Sequence, residues 1–201
     1  MSVIENIRKR AKRIQRGKPF TTDGFLKLGS RSAVDKAMSR LVKEGVIERI
    51  ARGVFFRPKK SRFVGNVIPE VSRVIEVIAK SNKEVIQIHG AEAARRFKLS
   101  TQMATKPVYY TSGSSREIKV GNIKVKLIHV SSHRKLQFSG KKSGLALSAL
   151  WYLGKEEVNN KTIKLIQEGL SHKEFKTLCS SSMPTWMTQA IEGYKGEAVH
   201  A

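Results

Sequence analysis

The chain has 201 residues, and 39 lysines and arginines against 16 acidic residues give it a net charge of +23. This excess favours a polyanionic partner, either nucleic acid or an anionic membrane surface. No apolar run is long enough to span a bilayer, and the N-terminal segment lacks the apolar core of a signal peptide, so we expect no membrane partner. The single cysteine excludes an internal disulfide and favours the reducing environment of the cytoplasm.

The first third of the chain carries the densest positive charge, with 18 basic against 5 acidic residues in 1–62. Apolar residues at helical spacing predict a basic amphipathic helix over 4–14 that ends at Gly17. Thr22 is a suitable N-cap for a short helix over 23–28, and Gly29 interrupts the pattern. A third helix begins at Ser30 and stops at Gly45, and one apolar stripe lies along it: Val34, Ala37, Met38, Leu41 and Val42.

Two strand-like runs, 46–50 and 53–57, follow the third helix and are joined by a tight turn around Arg52. Three helices and a hairpin in this order predict a winged helix-turn-helix that binds duplex DNA. The third helix would enter the major groove, and the hairpin would meet the flanking backbone or minor groove. Asp35 would either accept a hydrogen bond from a cytosine amino group or orient the side chain of Arg31 four residues away. The predicted DNA-binding residues are Thr22, Lys27, Ser30, Arg31, Ser32, Lys36, Arg40, Arg49 and Arg52.

A polar, basic break from Pro58 to Arg62 predicts a boundary between a DNA-binding domain over 1–60 and a mixed α+β domain over 61–201. In the second domain we expect strands and a hairpin to about residue 130 and helices from about 144. The helices and strands predicted there are a helix beginning with Pro69 and closing near Asn82, strands 85–88 and 108–111, a short helix 91–97, and helices 145–153, 159–170, 172–178 and 184–194. The fold class is therefore α+β and not a parallel βαβ fold.

The clearest hairpin of the chain spans 117–130, with Gly121 and Asn122 as its turn. Alternation places Ile118, Val120, Ile123 and Val125 on one face and three lysines, 119, 124 and 126, on the other. These lysines either meet phosphates or form a solvated edge.

Residues 28–56 form the stretch LGSRSAVDKAMSRLVKEGVIERIARGVFF. This stretch resembles the winged-helix part of bacterial abortive-infection antitoxins. These antitoxins are the first component of AbiE operons and belong to the type IV class of toxin–antitoxin systems. The likeness continues in IHGAEAARR (88–96), YTSGSSR (110–116), HVS (129–131), ALWYLG (149–154) and MPTWM (183–187). The resemblance implies a phage-defence antitoxin that represses its own operon and counters a nucleotidyltransferase-type toxin. Its DNA partner would be its own promoter, with inverted repeats.

The residues predict no enzyme, no cofactor and no metal site. The only aspartates are Asp23 and Asp35, the glutamates of the second domain are scattered, and neither a phosphate loop nor a metal-ligand set occurs among the five histidines and Cys179. The Gly-Ser run over 112–115 is either a turn or a backbone nest for an anion. Two alternatives to the antitoxin remain open: an RNA- or tRNA-binding protective module, and a winged-helix transcription regulator without an antitoxin role.

Overall fold

The computed structural model describes residues 2–61, 65–102 and 105–200, with the backbone alone at 60–61, 65–66 and 197–200. Arg62 and the side chain of His200, which both entered the predictions above, lie outside the described residues. Helices and strands are mixed along the chain, which confirms the α+β class. The chain forms two compact units, Met1–Glu84 with Ile118–Lys124 and Val85–Glu117 with Val125–Ala201.

The N-terminal part of the first unit, residues 1–84, begins with a helix and ends with another. Its elements are α1 (Val3–Arg13), β1 (Pro19–Thr21), a 3-10 helix (Thr22–Leu28), α2 (Arg31–Lys43), β2 (Glu48–Ala51), β3 (Val54–Phe56), β4 (Lys59–Ser61), β5 (Gly65–Val67) and α3 (Val71–Ser81). The sequence had placed α3 and residues 118–124 in the second domain, whereas they cluster here with the first unit. The functional division at residue 60 stays a prediction.

Local capping explains where the first two helices begin and end. Ser2 and Glu5 form a reciprocal capping box at the start of α1, and Ser30 accepts a hydrogen bond from the backbone N–H of Ala33 at the start of α2. Gly45, with φ +69°, follows the last turn of α2 in the left-handed region that glycine adopts without strain. The termini of α2 therefore lie where the sequence predicted them.

One hydrophobic cluster holds α1, the 3-10 helix, α2 and the sheet together. Its buried members are Ile7, Ala11, Phe25, Val34, Ala37, Met38, Leu41, Ile47 and Phe55. The sheet has the order β1–β3–β2 with antiparallel pairs, and Phe20 of β1 faces Phe55 of β3 in the register. Arg57 donates to the carbonyl of Ile14 (2.8 Å), which joins the end of α1 to the segment after β3.

Five details of this part differ from the predictions. β1 was not predicted, and the short helix is of the 3-10 type. Its N-cap is Thr21, without a side-chain hydrogen bond, so Thr22 is not the N-cap. The predicted break around residue 60 holds an antiparallel pair, β4 with β5. α3 begins at Val71 with Glu70 as its N-cap, so Pro69 precedes the helix.

The second unit combines a mixed sheet with helices. Its elements are β6 (Ile86–Ile88), α4 (Gly90–Arg96), β7 (Val108–Thr111), β8 (Arg116–Val120), β9 (Ile123–His129), a 3-10 helix (His133–Leu136), α5 (Lys142–Leu153), α6 (Asn160–Glu168), α7 (His172–Cys179) and α8 (Thr185–His200). The strand order is β6–β7–β9–β8, and β7 runs parallel to β9. This parallel pair is connected through β8 without a crossover helix, so the fold is not βαβ.

α5 lies at the centre of the second unit, and most of its residues from 143 to 150 are buried. α4 packs against α5 so closely that a Cβ added to Gly90 would lie 2.2 Å from Cβ of Tyr152 and 2.6 Å from the carbonyl oxygen of Ser148. Glycine is required there by the close approach of the two helices. On the β8–β9 hairpin, Val120 and Val125 are buried as expected, but Ile123 is 45% exposed.

Candidate nucleic-acid interface

An exposed polar stripe runs along α2 on the side away from the core. Ser32, Lys36, Ser39 and Lys43 follow one another at intervals of four, three and four residues, and all four are exposed. The Ser39 hydroxyl donates to the carbonyl of Asp35 (2.9 Å). The stripe presents two hydroxyls and two ammonium groups that no core contact occupies.

Arg31, at the start of α2, is held between the only two aspartates of the chain. Its Nη1 lies 3.4 Å from Oδ1 of Asp23, and its Nε lies 3.4 Å from Oδ2 of Asp35. Asp23 also accepts hydrogen bonds from the hydroxyls of Thr21 and Ser81. The Arg31 side chain is 61% exposed, so the two carboxylates orient its guanidinium while it remains open to a partner.

A cleft of about 290 Å³ lies between α2 and the β2–β3 turn. It is lined by Thr22, Arg31, Asp35, Met38, Ser39, Arg49, Arg52, Gly53 and Phe55. The Arg49 guanidinium carbon stands 5.3 Å from the ring centre of Phe55, which fixes this arginine by a cation–π contact. Three arginines, Arg31, Arg49 and Arg52, therefore meet on one cleft.

A second cavity of about 390 Å³ shares Arg31 and Arg52 with this cleft and extends to α3. Its α3 wall consists of Ile78, Ser81 and Asn82. Sequence reasoning missed these residues, and it also left Ser39 and Lys43 out of the predicted contacts. The outward stripe of α2 was readable from its periodicity, but nothing local in the sequence links α3 to a cleft some fifty residues earlier.

The nine predicted residues fall into separate groups. The cleft brings together Thr22, Arg31, Arg49 and Arg52, although Thr22 is only 4% exposed and forms part of the wall. The remaining five lie elsewhere. Ser30 caps α2, and its hydroxyl lies 3.3 Å from that of Ser32. Lys27 is exposed on the 3-10 helix. Lys36 and Arg40 line a groove of about 320 Å³ against the start of α1.

The second unit holds a smaller cavity of about 250 Å³. His89 lines it, accepts from the backbone N–H of Ala91 (3.3 Å), and packs against Tyr110 and Tyr152. Burial, with a smaller effect from the charge of Lys135, lowers the pKa of His89. The imidazole is therefore neutral near pH 7 and serves as a helix cap.

Glu92, on the wall of the same cavity, is engaged by two neighbouring arginines. Hydrogen bonds from Arg95, and less strongly from Arg96, lower the pKa of Glu92 to about 2 although partial burial opposes them. The carboxylate is thus an ionised partner of these arginines at neutral pH and not a proton donor.

The Gly-Ser segment over 112–115 is a bend whose hydrogen bonds tie it to the end of β9. The His129 ring nitrogen Nδ1 lies 2.7 Å from the Gly113 carbonyl, and the hydroxyl of Ser115 accepts from the His129 backbone N–H (2.8 Å). Within the described ranges, no three histidine, cysteine, aspartate or glutamate side chains are grouped to hold a metal ion. Nor is any described helix long and apolar enough to cross a membrane.

A comparison with known families matches residues 6–178 to a family model. The matching family is described as a family of unknown function (DUF6088). No curated protein matches the chain.

Proposed function

The chain belongs to the DUF6088 family, and we propose that it is a DNA-binding regulator whose first unit works as a winged helix-turn-helix. In this proposal α2 is the recognition helix and the β2–β3 hairpin is the wing. The observation that carries the proposal is the meeting of Arg31, Arg49 and Arg52 on the cleft between α2 and the β2–β3 turn. Guanidinium groups bind phosphates and guanine edges through paired hydrogen bonds, and α2 offers them beside an exposed polar stripe.

The dimensions of α2 suit this role. A helix of 13 residues is about 20 Å long, and its outward polar residues are exposed from Ser32 to Lys43. The B-DNA major groove admits one α-helix, whose first turns reach base edges while flanking basic residues meet phosphates. In the proposal Arg31 and Ser32 read bases, and Arg52 at the turn binds the adjacent backbone.

Titration of the full chain with duplex DNA at several salt concentrations tests the proposal. With five to eight phosphate contacts, the logarithm of affinity should fall against the logarithm of salt with a slope of about −4 to −7. A slope near zero would contradict phosphate docking. Stronger binding to tRNA than to any duplex at the same salt concentration would instead favour the RNA-binding alternative.

Two arginine variants separate base reading from backbone docking. Arg31→Ala should cost roughly 1–3 kcal/mol on the chain's own promoter duplex and much less on a random duplex. Arg52→Ala should weaken both complexes by similar factors and make the slope shallower by about one. Arg73→Ala is the matched control, because this exposed arginine of α3 lines neither cavity at α2. Equal losses on both duplexes for Arg31→Ala would mean that α2 positions the protein without reading sequence.

The likeness to AbiE-type antitoxins supports a second element of the proposal: the chain counters a nucleotidyltransferase-type toxin encoded beside it. Co-expression of the full chain with such a neighbouring gene tests this element through the growth of the cells. Rescue of growth by the Arg31→Ala, Arg52→Ala double variant would separate the antitoxin role from DNA binding. Failure of the unaltered chain to rescue growth would leave the regulator without an antitoxin role.

A further inference from the structure

The tip of the β8–β9 hairpin belongs to the first compact unit, although its sequence lies some sixty residues beyond the β2–β3 hairpin. The backbone N–H of Gly121 donates to the carbonyl of Ile50 in β2 over 2.7 Å. β2 is an edge strand of its sheet, so this carbonyl is available to a partner from outside the sheet. Gly121 has φ +56°, a conformation that the turn requires and that glycine supplies.

Two exposed lysines, Lys119 and Lys124, flank this anchored turn. Because β8 and β9 are neighbouring strands joined by only two residues, the turn sets Val120 opposite Ile123 and, one step along the hairpin, Lys119 opposite Lys124. Both lysines are exposed, and neither forms an ion pair within the part of the chain that the structure describes. Like charges directly opposite on a sheet are destabilising, by roughly 0.2–1 kcal/mol.

Because neither lysine has an ion-pair partner among the described residues, an anion from outside would relieve the repulsion between them. The next pair, Glu117 with Lys126, is of opposite charge, so the uncompensated charge is concentrated at the tip. The tip is therefore the part of the hairpin with the greatest electrostatic gain from a polyanion.

The anchored turn keeps these lysines close to the wing. Lys119 lies two residues from Gly121, and Arg52 lies two residues from Ile50, the other end of the hydrogen bond. With at most about 3.6 Å per residue and about 4.8 Å across the bond, the Cα atoms of Lys119 and Arg52 lie within about 20 Å of each other. This span corresponds to about six base pairs of duplex.

We propose that Lys119 and Lys124 form a second phosphate clamp that extends the DNA interface beyond the wing. This inference rests on the proposed DNA-binding function. It adds that the hairpin tip binds the phosphodiester backbone of the same duplex. The clamp carries no sequence information, because ammonium groups on a flexible stem meet phosphates as point charges. It lengthens the footprint and strengthens binding to any duplex that is long enough.

The test is a salt titration of the full chain carrying Lys119→Gln and Lys124→Gln. The slope of log affinity against log salt should become shallower by about 1.8, since each phosphate contact contributes about 0.9. The loss should be equal on promoter and random duplexes. The charge-conserving pair Lys119→Arg and Lys124→Arg should keep the original slope, which shows that the charge and not the fold is responsible.

The matched control is Lys161→Gln with Lys164→Gln, which removes the same charge from two exposed lysines of α6 in the second unit. An unchanged slope in the tip variant, or an equal change in the α6 control, would overturn the clamp. These outcomes are distinguishable from failure of the proposed function. If the unaltered chain shows a steep slope that Arg52→Ala reduces, the DNA-binding proposal stands even where the tip variant has no effect.

Discussion

Replacing Asp35 with asparagine tests how Arg31 is used. Asp35 Oδ2 lies 3.4 Å from Arg31 Nε, and the two side chains are 52% and 61% exposed. Asparagine keeps the size and polarity of the side chain but removes its negative charge. Exposed pairs four residues apart on a helix contribute only about 0.3–0.5 kcal/mol to folding, so we expect the melting temperature to change little.

The effect on DNA binding should be larger than the effect on stability. A random duplex offers Arg31 no specific base to read, so a phosphate is its partner there. With that contact at about 2.8 Å, the Asp35 carboxylate lies about 6 Å from the phosphate. Repulsion at this distance amounts to about 0.7 kcal/mol at the dielectric constant of water and about 2.8 kcal/mol at an effective value of 20. Asp35→Asn should therefore bind a random duplex roughly 3- to 100-fold more tightly. If Asp35 accepts a hydrogen bond from a cytosine amino group, Asp35→Asn should strengthen binding to the promoter less, or weaken it by about 1–3 kcal/mol.

Fluorescence anisotropy with labelled random and promoter duplexes, at two salt concentrations, measures both effects. Glu44→Gln is the matched control, because Glu44 also pairs with an arginine, Arg8 (2.9 Å), at the opposite end of α2. Nine residues of helix separate the two acids by about 13 Å, more than the screening length of about 8 Å in physiological salt. Equal behaviour of Asp35→Asn and Glu44→Gln on the random duplex would refute a phosphate contact by Arg31.

Three further changes test the packing and electrostatics of the two units. Leu41→Ala, at a fully buried position of α2, should lower the free energy of unfolding by about 2–5 kcal/mol in chemical denaturation; a change below about 1 kcal/mol would contradict the assigned core. Gly90→Ala should destabilise the second unit, because the new methyl would overlap α5; an unchanged melting temperature would show that the helices can separate at no cost. Hydrogen bonds from the neighbouring arginines lower the pKa of Glu92 from the usual 4.5 to about 2. The ionised carboxylate therefore stabilises the fold fully above pH 4.5, and this stabilisation is lost as the pH falls toward 2. The difference in stability between the unaltered chain and Glu92→Gln should shrink over that range, and a pH-independent difference would disprove it.

Local chemistry alone was sufficient to locate most of the helices and the two clear hairpins. The α2 helix was predicted from Ser30 to Gly45 because a capping hydroxyl, an apolar stripe and a glycine with positive φ all act within a few residues of chain. The β8–β9 turn was predicted for the same reason, since the strand alternation and Gly121-Asn122 are neighbours in sequence. The charge of the first third, and with it the expectation of a polyanionic partner, also needs only the sequence.

Tertiary pairing decided the rest. The three-residue strand β1 has no alternation of its own and exists as a strand because β3 supplies its hydrogen-bond partners. The sequence could offer Asp35 as a partner of Arg31 through helical spacing, but Asp23 reaches the same guanidinium only because the 3-10 helix packs beside α2. Likewise, α3 and the turn at Gly121 cluster with the first unit through contacts whose members are far apart in the chain. Hydrophobic periodicity and turn chemistry act over a few residues, whereas these arrangements depend on which surfaces pack together, so they became visible only in the folded chain.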